Sequence, residues 1–563
     1  MHRTNQTMAE TLPTPKFLTL SRASNLDRMR REVFDLAVIG GGITGAGIAL
    51  DAASRGLTVA LIEKRDFASG TSSRSSKLIH GGLRYLEQFN FGLVRESLHE
   101  RAALSRMAPH LSRPLEFLVP VYSSSERSPL GSNKLKLTVG LWLYDLLAGR
   151  QNIGRHRWLP RDDALKLSPA LDPDGLRGAF CYYDCLTDDA RLVIEVIKTA
   201  SAYGAVVANY ARANAFGNSN GRITSVNVED VFGRSSLNLR AKVMVNATGV
   251  WSDEVSRLSD AAASRKLRPS KGIHVIVPSE KINIKSAALI PSIGERRFLF
   301  VIPWQGRTLI GTTDTDYQGD LDEPIAESVE VERVMASAAR AFPGANLTIE
   351  DVISTFAGLR PLIAGDGAST KELSRKEEIF EDKSGLITMT GGKLTTWRRM
   401  SERVVDRVVD RLENVEGERF PRRHQSVTER IRLAGGPANG EPEVVTRIST
   451  EFGVDPSTVE HLLECYGANY RVILELTRES EQLESILTEG LAHIEAEVVY
   501  TARYEMAATV EDFLSRRSRI ELLARDHGRS CAARVAILLS HELGWSPAET
   551  QNALAEFVQA DSR

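Results

Sequence analysis

The stretch Phe34-Asp35-Leu36-Ala37-Val38-Ile39-Gly40-Gly41-Gly42-Ile43-Thr44-Gly45 decides the fold of this chain. Its first half is a short apolar run, the pattern of a parallel strand buried on both faces. Its second half is a G-x-G-x-x-G turn at Gly40, Gly42 and Gly45. Small, helix-favouring residues follow at 46–54, and a second apolar strand spans 57–62. Glu63 ends that strand, 18 residues past the last glycine. A glycine motif alone is a weak signal. Strand, turn, helix and acid in this order make one βαβ unit of the dinucleotide-binding type. Gly40 permits the tight turn, Gly42 lets a pyrophosphate approach the backbone, and Gly45 lets helix and strand pack closely. The helix start at Ile43 and Thr44 offers unpaired N–H groups and a positive dipole end to phosphate. Glu63 suits the two hydroxyls of a ribose, with Lys64 beside it.

At 563 residues the chain exceeds one hydrophobic core, and two or three domains are expected. Its 42% hydrophobic and 26% charged residues are those of a soluble globular protein. A net charge of −2 gives no general attraction to nucleic acid. Cys181, Cys185, Cys465 and Cys531 share no metal-ligand spacing, so they read as reduced thiols in a cytosolic setting and no metal site is expected. No apolar run is long enough to span a bilayer. Residues 1–31, polar and carrying Pro13 and Pro15, read as a disordered arm without a secretory signal.

Further along, 93–107 and 190–202 have helical periodicity, and 135–147 is strongly apolar with Trp142 and Tyr144. That last segment suits core, a contact between two copies in a homodimer, or a membrane surface; core is the expectation. Residues 243–245 form an apolar strand running into the small turn Ala247-Thr248-Gly249. Several β-like stretches between 273 and 313 suit an antiparallel sheet. After Pro421 the pattern is helical, at 454–465, 471–476, 498–516 and 531–543.

The segment Thr71-Ser72-Ser73-Arg74-Ser75-Ser76-Lys77-Leu78-Ile79-His80-Gly81-Gly82-Leu83-Arg84-Tyr85-Leu86-Glu87 narrows the dinucleotide to FAD, because its hydroxyls, paired glycines and cations can line a long cofactor. This segment also resembles the FAD-dependent respiratory glycerol-3-phosphate dehydrogenases, within the wider glycine- and D-amino-acid-oxidase-like flavoproteins. Further matches are Tyr183-Asp184-Cys185, Val245-Asn246-Ala247-Thr248-Gly249-Val250-Trp251, Lys271-Gly272-Ile273-His274, Gly358-Leu359-Arg360-Pro361-Leu362 and Gly391-Gly392-Lys393-Leu394-Thr395-Thr396.

The resemblance implies an α/β fold in three parts. A Rossmann-like FAD-binding domain takes 32–110, 190–260 and 350–412. An antiparallel β substrate domain takes 111–189 and 261–349, and a C-terminal helical domain takes 420–563. It implies a cofactor wall built from Gly40, Gly42, Ile43, Thr44, Gly45, Glu63, Lys64, Thr71, Ser72, Ser73, Lys77, Leu78, His80, Gly81, Gly82 and Leu83. Ala247, Thr248, Gly249, Gly392, Lys393, Leu394 and Thr395 complete it, around a non-covalent FAD.

The implied reaction oxidises sn-glycerol 3-phosphate at C2 to dihydroxyacetone phosphate. His274 suits either general-base duty on the C2 hydroxyl or a bond to the substrate. Arg360 suits the phosphate or the developing alkoxide. Lys393 adds charge near the flavin or the substrate, and Arg84, Tyr85 and Arg375 are substrate contacts, with Lys376 as the alternative register. Ile273 stands where many relatives carry serine. Membrane quinone is the implied electron acceptor, so a cytoplasmic enzyme peripheral on the inner face of the cell membrane is expected. Competing readings are an oxidase using oxygen, an amine or amino-acid oxidase, and a flavin-binding protein without catalysis.

Overall fold

The computed structural model describes residues 22–86, 89–295, 297–364, 377–416, 425–436 and 440–560. The opening stretch folds as strand Val33–Ile39 and helix Ile43–Arg55. The strand pairs in parallel with Val59–Ile62 on one side and Ser235–Asn246 on the other, so Val38 sits between Leu61 and Val245. The first sheet runs Glu378–Glu381, Ile387–Thr390, Ser235–Asn246, Val33–Ile39, Val59–Ile62, Val206–Ala208. Helix Ile43–Arg55 packs on it between helices Asp189–Ala202 and Trp397–Glu416. Small residues set that packing distance: a Cβ at Gly47 would lie 2.6 Å from the Trp397 ring.

The second sheet runs Thr315–Asp316, Ser270–Pro278, Arg307–Gly311, Phe298–Trp304, Ala287–Pro291, Arg113–Tyr122, Leu176–Leu186, Leu78–Ile79. It is antiparallel except where Ala287–Pro291 meets Arg113–Tyr122 in parallel. Helix Ser328–Ala341 covers one face, and helix Lys134–Ala148 lies on the other. The strand Ser354–Arg360, expected with the dinucleotide unit, pairs instead with Ser270–Pro278 in this second sheet. Its register sets Arg360 opposite Ser270 and Phe356 opposite His274.

Two further expectations are corrected. The arm thought disordered through residue 31 ends in helix Arg22–Arg31. Leu26 and Met29 are buried, and Asn25 and Arg22 donate to the carbonyls of Val207 and Asn209. An apolar pair inside a polar segment has too little periodicity to reveal this. The helix expected over 498–516 is broken after Glu495–Tyr504. Asp512 accepts from the Ala508 and Thr509 backbone N–H groups there, which starts a new π-helical turn, Asp512–Arg517.

The C-terminal helices have their own core around Tyr466, Tyr500 and Phe513. Buried ion pairs fasten them to the rest. Arg516 and Arg517 bind Asp66, Arg519 binds Asp188 and Asp189, and Glu505 binds Arg191. All four cysteines are buried and unpaired. No helix of the described residues is long and apolar enough to cross a membrane.

Candidate active site

At the head of the first sheet Gly40 takes φ +113°, and a Cβ there would lie 2.6 Å from the Ala247 carbonyl oxygen. A Cβ at Gly45 would lie 1.9 Å from the Gly40 carbonyl oxygen. Both positions therefore require glycine. The helix opens on Gly42 without a side-chain cap, and Ile43 N donates to Ser72 Oγ at 3.0 Å. Glu63 closes the turn from below, accepting from Gly41 N at 2.7 Å and Arg65 N at 3.0 Å; burial pushes its carboxyl up.

Over this turn lies a cavity of about 490 Å³. Gly40, Gly42, Ile43, Thr44, Glu63 and Lys64 line one side, and Thr71, Ser72, Ala247, Thr248 and Gly249 line another. Lys64 bonds Asp322 at 2.6 Å and sits 4.2 Å from the centre of the Trp251 ring. Gly392, Lys393 and Leu394 border both this cavity and a second of about 290 Å³. The second is lined by Leu78, His80, Gly82, Leu83, Tyr85 and Thr395, and it reaches His274 and Arg360. Thr395 Oγ1 accepts from His80 N at 3.1 Å, tying the serine-rich loop to the segment that starts helix Trp397–Glu416.

Four predicted wall residues do not line either cavity. Gly45 and Gly81 are packing positions; a Cβ at Gly81 would meet Tyr144 and Leu98. Ser73 is buried, with its hydroxyl on the Gly70 carbonyl. Lys77 is wholly buried and bonds Asp189 at 2.7 Å and the Ser73 carbonyl at 2.5 Å. A lysine in a hydroxyl-rich loop reads as a phosphate ligand; the Asp189 that claims it comes from a helix more than a hundred residues away. The expectations for Arg375, with Lys376, and for the Arg84 side chain lie outside the described residues.

The second cavity brings together the residues expected to be catalytic. His274 Nε2 lies 2.9 Å from Ser76 Oγ, and its ring stacks on Phe356 with centroids 4.7 Å apart. Burial first, then the Arg360 and Lys77 charges, hold its pKa well below the ordinary imidazole range. That shift disfavours the imidazolium and favours the neutral ring. Arg360 donates to Thr312 Oγ1 at 3.0 Å and the Thr313 carbonyl at 3.2 Å, and Asp314 lies 3.4 Å from its Nη1. Lys393 Nζ stands 3.9 Å from the centre of the Tyr85 ring. Ile273 is buried in the core beneath helix Ser328–Ala341, because strand alternation turns it away from the His274 side.

Ser76, Thr312 and Asp314 lie in stretches with family resemblance but received no site role from the sequence, and Arg297 was not marked at all. Arg297, paired with Asp314, joins Arg74, Arg360 and Lys393 among the cations of the lining. Nothing in its surrounding sequence marks it; only the pairing of neighbouring strands brings it in.

These residues fit FAD. A glycine cradle that any Cβ would fill meets a helix N-terminus, with an acid at one end and a cation-rich chamber at the other. The family model described as FAD dependent oxidoreductase matches residues 35–396, and that of the C-terminal domain of alpha-glycerophosphate oxidase matches 426–550. Glycerol-3-phosphate dehydrogenase 2 of Mycobacterium tuberculosis is 39% identical over 541 residues, 95% of this chain and 89% of that protein. The aerobic glycerol-3-phosphate dehydrogenase of Staphylococcus aureus is 36% identical over 549 residues, covering 96% and 97%. A crystal structure of the glycerol-3-phosphate dehydrogenase from Bacillus halodurans complexed with FAD superposes with a TM-score of 0.79 at 32% identity, over 97% of this chain and 98% of that one. By its folded cradle and by these relatives, the chain belongs to the FAD-dependent glycerol-3-phosphate dehydrogenase family.

Proposed function

We propose that this enzyme oxidises the C2 hydroxyl of sn-glycerol 3-phosphate to the ketone of dihydroxyacetone phosphate. The observation that carries this reading is the meeting of Arg360, Lys393 and the neutral His274 in one chamber bordering the glycine cradle. A dianionic phosphate calls for more than one cation, and the planar fork of Arg360 binds two of its oxygens. An amino-acid substrate needs one carboxylate clamp, fewer positive charges than this chamber gathers.

Bound FAD supplies the acceptor for the hydride leaving C2. His274 takes the hydroxyl proton, and Ser76 orients the ring. Arg360 and Lys393 stabilise negative charge growing on the substrate oxygen or remaining on its phosphate. Tyr85 packs against Lys393 and narrows the chamber. Glu63, the start of helix Ile43–Arg55 and the Ala247-Thr248-Gly249 turn hold the ribose and pyrophosphate of the cofactor. Anaerobic addition of glycerol 3-phosphate should bleach the flavin absorbance; no bleaching at high substrate sinks the reading.

The electron acceptor in this reading is a membrane quinone, met at a lipid surface by helix Lys134–Ala148. Core was the expectation for that segment, and one face fulfils it: Leu137, Leu141, Tyr144 and Ala148 are buried. The other face is open, with Leu135 73% and Trp142 59% exposed and Val139 and Leu146 beside them. Exposed Lys134, Lys136 and Arg150 flank this apolar stripe, a combination that suits anionic lipid. Vesicles with anionic lipid should sediment the enzyme, and Leu135→Glu with Trp142→Glu should release it. Dimerisation through the same face, seen as halved mass in that variant, would overturn the lipid assignment. Peroxide yield in air, compared with reduction of a quinone analogue, separates dehydrogenase from oxidase.

A further inference from the structure

The C-terminal helices hold a group of donors that the redox site does not use. His461 from helix Pro456–Tyr466, His493 from the preceding turn and Glu497 from helix Glu495–Tyr504 each bring one ligand atom within 4.8 Å of the others. Glu497 is wholly buried and His493 is 3% exposed, while the His461 side chain keeps 12% exposure and opens the group to solvent. His461 Nε2 and Glu497 Oε2 are 2.9 Å apart, and the two imidazole centroids are 4.0 Å apart.

The outer partners of these three side chains carry the argument. His493 Nε2 donates to the Ser518 carbonyl at 2.8 Å, which fixes the ring proton there. That leaves Nδ1 a bare lone pair, buried and without a hydrogen-bond partner among the described residues. An unsatisfied buried acceptor costs stability, so it calls for an occupant. His461 Nδ1 faces Cys465 Sγ at 3.6 Å. Tyr466 donates to Glu497 Oε2 at 2.9 Å, and Ile494 N donates to Oε1 at 2.8 Å. Each donor is thus oriented from outside by a second contact, the arrangement found around protein metal ligands. An ion pair between His461 and Glu497 accounts for two of the three groups. It does not account for a second imidazole with its lone pair left open beside them.

We propose that His461, His493 and Glu497 bind one divalent transition-metal ion of the zinc class. Two imidazoles and a carboxylate are a donor set for zinc, and they select against magnesium and calcium, which take oxygen ligands. Two ligands about 2.0 Å from a tetrahedral ion lie ~3.3 Å apart, so the 2.9 Å contact needs only a small opening. The ion ties helix Pro456–Tyr466 to helix Glu495–Tyr504. Through His493 and Ser518 it also braces the turn whose Arg517 and Arg519 grip Asp66 and Asp188. Its role is therefore to stiffen the docking of the C-terminal helices, and it takes no part in the redox step.

The test uses the full-length, FAD-loaded enzyme with any affinity tag removed. Metal analysis after equilibration with zinc and gel filtration should find about one zinc per chain, and zinc should raise the melting temperature over a chelator-treated sample. His493→Leu should lose both the zinc and the melting response. Should that variant fail to fold, titration of the wild-type enzyme with cobalt(II) decides alone. A d–d band beyond the flavin absorption, saturating at one equivalent and bleached by zinc, supports the site. No stoichiometric zinc, no zinc-dependent melting shift and no saturating cobalt band would overturn it.

Discussion

Ser76 Oγ and His274 Nε2 lie 2.9 Å apart although 198 residues separate them in the chain. The contact joins the serine-rich loop to the second sheet and orients the His274 ring in the cation-rich chamber. His274→Asn should slow anaerobic flavin reduction by glycerol 3-phosphate ~100- to 10,000-fold, the range of a lost general base. Ser76→Ala should cost on the order of 10-fold, one hydrogen bond, with FAD retained. Stopped-flow absorbance measures both; equal, small effects would remove His274 from the base role.

Burial and the Arg360 and Lys77 charges lower the pKa of His274, so protonation is disfavoured and the base stays competent on the acid side. Activity is lost only as pH falls through that lowered value. The acid limb of kcat/KM should therefore lie below ~6.5, the ordinary imidazole value. Arg360→Met removes one neighbouring charge and should move the limb upward.

Two glycines make room for the reactive side chains. A Cβ at Gly272 would stand 2.3 Å from Arg360 Nη2, and one at Gly311 would stand 2.3 Å from His274 Cδ2. Gly272→Ala should raise KM and Gly311→Ala should lower kcat, each by ~100-fold, the effect of misplacing a group by about 1 Å. Steady-state kinetics on variants with full flavin content distinguish the two.

Gly45→Ala forces the Gly40 carbonyl aside and should abolish FAD retention. The ratio of flavin to protein absorbance after gel filtration reads this directly. A variant purified with full flavin content would contradict the close helix–strand packing seen here.

Glu505 and Asp188 are both held down to about 2 although burial opposes it, by Arg191 and by Arg519 respectively. Their carboxylates contribute stability that is fully present above the unfolded values and lost as pH falls through the folded ones. Melting temperature should fall between about pH 4.5 and pH 2. Arg517→Leu, which takes one guanidinium from the buried Asp66, should cost about 3–5 kcal/mol and shift the C-terminal helices most. Hydrogen exchange across 495–543 tests that locality.

Much of the flavin cradle was legible because its determinants are local. Gly40, Gly42 and Glu63 belong to one continuous βαβ unit, and the periods of strand and helix are written along it. The chamber was legible only in part. His274, Arg360 and Lys393 stand in short motifs that resemble a known family, so they could be named from the sequence, but their shared cavity could not. Arg22–Arg31 and the break after Tyr504 were missed because a cap or an isolated apolar pair carries almost no periodic signal.

The sequence by itself determined the dinucleotide turn and the alternation of strands and helices, since backbone sterics and hydrophobic period act within a few residues. Only the tertiary structure decided which charges meet. Asp189 draws Lys77 out of the cofactor wall, Asp314 brings Arg297 to Arg360, and His461 comes to His493. Each of these pairings joins residues distant in the chain. Their strength comes from burial, which exists only once the sheets and helices have closed over them.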